Sequence, residues 1–99
     1  MMDPVTDRTV YISAGNSDDR LTQGEWASFV TGIRAILTVN CERIYGYWLS
    51  PPDSPWQNMC IAVQVPDEGA ETLKAALTEL RVKYRQDSLA WAEAVTEFI

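Results

Sequence analysis

The run Asn58-Met-Cys-Ile-Ala-Val-Gln-Val65 sets large apolar side chains against smaller or polar ones at every second position. Such a period-2 run is a strand with one buried face. A second strand-like run, Cys41-Glu-Arg-Ile-Tyr-Gly-Tyr-Trp-Leu49, precedes it and is rich in aromatic residues. Between them lies Ser50-Pro-Pro-Asp-Ser-Pro-Trp-Gln57, a segment whose prolines break a ladder and favour a turn. Strand, turn and strand in succession specify a β-hairpin in mid-chain. The hairpin also carries most of the aromatic side chains that could touch a partner.

The other elements fall around it. Thr9-Val-Tyr-Ile-Ser-Ala14 alternates, with Val10, Ile12 and Ala14 on one side and Tyr11 and Ser13 on the other, and reads as a half-buried strand. Thr22-Gln-Gly-Glu25 has the form of a capping box. Trp26, Phe29, Val30, Ile33 and Leu37 then form one apolar stripe, which predicts an amphipathic helix ending near Thr38 or Asn40. Pro66-Asp67 opens a second helix, with Asp67 expected as its N-cap. Ala70, Leu73, Leu77, Leu80 and Tyr84 form its buried face, and basic residues crowd its last turns. The segment 88–99 is ambiguous. Its alanines and glutamates favour helix. Its alternation of Leu89, Trp91 and Val95 with Ala90, Ala92 and Ala94 favours strand, and strand is preferred because Gln86-Asp87 looks like a break.

The resulting order β-α-β-β-α-β is the split-βαβ arrangement of a ferredoxin-like α+β sandwich, a four-stranded antiparallel sheet with two helices on one face. All 99 residues are assigned to one domain, with residues 1–8 expected to be frayed. Fold alone supplies no function.

Composition removes several classes of activity. There is no histidine, so Ser-His-Asp and Cys-His catalysis and histidine-ligated metals are excluded. No phosphate-binding glycine motif and no CxxC occur. Cys41 and Cys60 are expected to stay reduced and pack as small hydrophobes. Nothing resembles a signal peptide or a membrane span, which points to a soluble, cytoplasmic protein without membrane contact. The net charge is −6. That sign repels phosphate backbones and argues against direct nucleic-acid binding. It serves solubility, or else it matches a basic surface on another protein.

Three groups of residues are candidate contact sites. The first is the sheet face left open by the helices. Val10, Ile12, Met59, Ile61, Val63 and Val65 are assigned to the helix side together with Ile44 and Trp48. The open face is then expected to hold Tyr11, Ser13, Tyr45, Tyr47, Leu49, Cys60, Ala62 and Gln64, joined by the alanines of the last strand. An apolar face of that kind marks an interface: with a second copy of the chain, with a different protein, or around a small ligand oriented by tyrosine hydroxyls. The second is the proline-stiffened loop, with Asp53 and with Trp56 either as an anchor or as a plug over the core. The third is the acidic turn Asn16-Ser-Asp-Asp19. Too few oxygens are spaced there for a calcium site, and Asp18 and Asp19 suit local backbone bonds or, with Asp3 and Asp7, an acidic patch.

No cofactor is implied. Tyr45, Tyr47, Cys60, Asp53 and Glu93 are the weak candidates for acid–base or nucleophilic work, and none has an activating neighbour in sequence. The expected function is a small, acidic, non-enzymatic interaction module, in its most specific form an inhibitor or counter-defence protein that covers a basic surface. The alternative is a dimeric α+β-barrel domain that binds a small ligand or works as a cofactor-independent enzyme.

Overall fold

The computed structural model describes residues 7–99 other than Ser17 and Pro52, and only the backbone of Asp7. The fraying expected before Asp7, and any part played by Asp3, Ser17 or Pro52, lie outside the described residues. The elements are β1 (Asp7–Gly15), α1 (Gln23–Asn40), β2 (Arg43–Leu49), β3 (Asn58–Pro66), α2 (Ala70–Lys83) and β4 (Ala90–Ala94). The strands form one antiparallel sheet in the order β2-β3-β1-β4. Both helices pack on one face of it, and the fold is the ferredoxin-like α+β sandwich that the element order predicts.

Alternation is complete on the two central strands. On β1, Val10, Ile12 and Ala14 are buried, and on β3 so are Met59, Ile61, Val63 and Val65. The register sets Val10 opposite Val63 and Ile12 opposite Ile61, so both strands bury the same face. All five residues of the predicted α1 stripe are buried against it, with Ala70, Leu73 and Leu77 of α2. Each fully buried aliphatic or aromatic side chain stabilises the fold by about 1.5–3 kcal/mol relative to exposure. Where α1 and α2 meet, Gly32 lies under Leu80: a Cβ there would stand 3.1 Å from a leucine methyl.

The capping box at the start of α1 is formed. The Glu25 amide donates to Thr22 Oγ1, and the Thr22 amide donates to Glu25 Oε1, both at 3.1 Å. The start of α2 departs from expectation. Asp67 opens a single 3-10 turn, Asp67–Gly69, and α2 begins at Ala70 without a side-chain cap. The Asp67 carboxylate is instead taken by Arg8 of β1, which also reaches Glu93 of β4 at 2.7 Å. A cation from another strand has displaced the local cap. Residue 8, expected to fray with the N-terminus, is thereby tied into β1.

α2 ends with Arg85 in the left-handed region (φ 58). The Arg85 and Gln86 amides return to the Val82 and Arg81 carbonyls at 3.0 Å, the paired bonds of a Schellman stop. The chain then enters β4, so the strand preference for the last segment holds over Ala90–Ala94. Residues 95–99 run beyond the strand with Val95, Phe98 and Ile99 exposed.

The strand β2 overturns one assignment. Ile44 pairs with Val63 and Gly46 with Ala62, so Tyr45 is an extra residue between them, a β-bulge. Beyond a bulge the side-chain parity reverses. Tyr47 stands opposite buried Ile61, and Leu49 opposite buried Met59; both lie on the helix side and not on the open face. Trp48, expected inside, stands opposite Cys60 and points from the open face, 57% exposed.

Candidate interaction surface

The register places the open-face residues in three rows across the strands β2, β3, β1 and β4. The first is Trp48, Cys60, Ser13, Ala90. The second is Gly46, Ala62, Tyr11, Ala92. The third is Arg43, Gln64, Thr9, Ala94. Tyr45, in the bulge, bonds from its hydroxyl to Gln64 Oε1 at 3.2 Å and so lies over the third row. The face is therefore flat and small-sided along β4, with Tyr11 near its centre and Trp48 and Tyr45 at the β2 edge. Arg43 is the one ionisable group of fixed charge in these rows. Tyr11 is 44% exposed and Tyr45 52%, more than an apolar residue would keep if the chain covered its own sheet.

Of the tyrosines singled out from the sequence, Tyr11 and Tyr45 are brought together on this face and Tyr47 is not. The Tyr47 ring lies on the helix side under the guanidinium of Arg34, 4.3 Å from its centroid, a cation–π contact. The three tyrosines therefore do not line one cavity. Trp48 was missed, although Gly46 inside a strand run is a bulge signal.

The upper end of the face opens into a shallow groove of about 680 Å³ that reaches from Trp48 and Cys60 to Asp18 and Asp87. Here the three loops of this end of the sheet are tied together. Arg20 bonds Asp18 at 3.2 Å and Asp87 at 3.0 Å, and donates to the Arg85 carbonyl. The Asn16 side chain is buried and exchanges two bonds with the Leu21 backbone, and the Asn16 amide donates to the Gln57 carbonyl at 2.8 Å. The acidic turn thus makes the local backbone bonds expected of it. Asp18 is already paired, while Asp19 and Asp53 are exposed. Among the described residues no group of three or more carboxylates and thiols could hold a metal ion.

Trp56 is 58% exposed, so it does not plug the core. Its loop is held by its own polar groups: the Ser54 backbone amide donates to the Pro51 carbonyl, and the Ser54 hydroxyl and the Asn58 side-chain Nδ2 both donate to the Trp56 carbonyl. Asp19 and the residues Ser54 and Pro55 share a groove. Trp56, Asp18, Asp19 and Asp53 therefore belong to the loops at one end of the sheet, where Asp18 borders the first row through the groove beside Trp48 and Cys60.

The weak catalytic candidates are scattered. Both cysteines are free, and burial pushes the Cys41 thiol up to about 11, away from the thiolate that reacts. Glu93 sits on the helix side, where the Trp91 indole N–H and then Arg8 hold its carboxyl below the usual range; it stays ionised.

Neither a protein-family model nor a curated protein sequence matches the chain. Solved structures do. The C-terminal domain of the MgtC protein from Mycobacterium tuberculosis superposes with a TM-score of 0.64 at 10% identity, over 95% of this chain and 94% of that one. A dimeric ferredoxin-like protein of unknown function from Thermobifida fusca gives 0.62 at 6% identity, over 91% and 92%. An unknown protein from Galdieria sulphuraria gives 0.60 at 16% identity, over 96% of this chain and 54% of that one, so the chain spans about half its length. At such identities the likeness is one of fold. Among the described residues no helix is long and apolar enough to cross a membrane.

Proposed function

We propose that this domain is a non-enzymatic protein-interaction module and that its open sheet face is the contact surface. One observation carries the reading: Tyr11, Tyr45 and Trp48 stand exposed on a face that is otherwise small and almost uncharged, where a monomer gains nothing by keeping three aromatic rings in water. The Thermobifida fusca neighbour, a dimeric protein of the same fold, supports the use of this architecture for protein contact. The scatter of the acid–base candidates, with Glu93 on one face and Cys60 on the other, favours binding over catalysis.

The narrower form, an inhibitor that covers a basic surface, rests on the net charge of −6 and on exposed Asp19 and Asp53 beside Trp56. The sheet face itself lends it no acidic group. The small-ligand alternative needs tyrosines around one cavity, and Tyr47 faces the other way.

The test is affinity capture from the native cell with the tagged chain, its Ala92→Arg variant and, as control, Val39→Arg on the exposed side of α1. The reading requires that Ala92→Arg loses what the parent recovers while Val39→Arg retains it. Equal recovery by all three would overturn it.

A further inference from the structure

We infer that the occupant of the open face is a second copy of this chain, docked sheet to sheet about a two-fold axis parallel to the strands. This deepens the interaction reading above and rests on it.

A two-fold axis parallel to the strands, lying between two facing sheets, preserves position along the strands and reverses the strand order. β2 of one copy then lies over β4 of the other, and β3 over β1. The rows answer this operation position by position. In the first row Trp48 falls over Ala90 of the other copy, and Cys60 over Ser13. In the second, Gly46 falls over Ala92 and Ala62 over Tyr11. In the third, Arg43 falls over Ala94 and Gln64 over Thr9. Each large ring meets a small residue, the self-complementarity that an isologous contact needs. An axis across the strands would instead set β2 on β2, ring against ring, and leave the alanines of β4 facing one another across a gap.

Charge points to the same occupant. Two chains of net charge −6 repel, and the three rows carry no carboxylate to oppose their approach. A basic partner would find no anion in these rows to pair with. The area suffices. Four strands about 4.8 Å apart and about 25 Å long present about 500 Å² per copy, so about 1,000 Å² for the pair before the relief of the rings is added. That reaches the lower limit of a specific interface, about 1,000 Å². Aligned sheets of native twist pack with strands within about 30° of each other, which keeps the rows in register.

Light scattering across a concentration series reads the mass. The inference requires twice the 11.1 kDa chain mass at micromolar concentration, and a return to the single mass in Ala92→Arg with an unchanged circular dichroism spectrum. The axis is read by a short bismaleimide in a Cys41→Ser, Cys60→Ser background. Gly46→Cys and Ala92→Cys lie on opposite edges of one sheet. A mixture of the two single variants should cross-link to dimers, and Gly46→Cys alone should not. A Gly46→Cys self-link would replace this axis by the one across the strands. A parent chain that stays monomeric would overturn the self-docking inference. It would leave the interaction reading standing if Ala92→Arg still loses a partner in cells. A dimer indifferent to Ala92→Arg would place the self-contact elsewhere and overturn the self-docking inference, while the capture experiment decides the interaction reading separately.

Discussion

β3 and β2 lie side by side in one sheet, and they obey different rules. On β3 every second residue is buried, because β1 and β2 flank it and the helices lie above. On β2 every residue is exposed. It is an edge strand that the helices cover too little to bury, although Arg34 of α1 reaches the Tyr47 ring, and the Tyr45 bulge turns its parity over half-way along. Burial therefore fixes side-chain direction on β3, whereas on β2 direction is set by the ladder alone. Where no core forces the pattern, one extra residue costs little and redirects Tyr47, Trp48 and Leu49 at once.

The largest effect that would break this contrast is in the core. Ile61→Ala should cost about 3 kcal/mol in urea unfolding, through lost burial and the cavity left behind. Its neighbour across the ladder, Tyr47→Ala, should cost about 1 kcal/mol, mainly the exposed contact with Arg34. Equal losses would mean that β2 is as much a part of the core as β3.

Deleting Tyr45 sharpens the point. If Tyr45 is the extra residue, its removal regularises the ladder, keeps Gly46 on Ala62 and Trp48 on Cys60, and changes stability by no more than about 1 kcal/mol. Fluorine-labelled tryptophan at position 48 should keep its solvent isotope shift. A Trp48 that turns inward on deletion would disprove the bulge.

A smaller effect concerns Glu25, whose carboxyl is held below its ordinary value by the Thr22 backbone amide and then by Arg85. A depressed folded value stabilises above the unfolded value of 4.5, and that contribution is lost as the pH falls through the folded one. Glu25→Gln should therefore unfold at lower urea than the parent at pH 7, and the gap should begin to shrink near pH 4.5 and close once the pH is below the depressed folded value. A gap that persists there would assign the loss to packing instead of charge.

The smallest effect on stability belongs to the loop. Trp56→Ala should change unfolding by no more than about 0.5 kcal/mol, as for an exposed side chain outside any core contact. Its influence, if the loop end is a second contact surface, lies in affinity capture alone. Lost capture with unchanged stability would place a partner at the end of the sheet as well as on its face.

Much of this molecule is legible in the chain. The period-2 runs of β1 and β3, the α1 stripe and the capping box are local patterns, and burial of a matching face enforces them. The site is legible only in part. Tyr11 could be placed because β1 alternates without interruption, and the alanines of β4 for the same reason. Tyr47 and Trp48 could not, because simple alternation runs straight through a bulge, and the only written sign of it is Gly46.

The sequence by itself determined the element order, the buried stripes and the uncharged, small-sided character of one sheet face, since these depend on side-chain type and spacing. Tertiary structure alone decided which aromatics share that face, because pairing with β3 and not composition sets the direction of each β2 side chain. It also decided the fate of Asp67. A guanidinium from a distant strand is a stronger partner than an unfilled backbone amide, and only the folded chain brings Arg8 within reach.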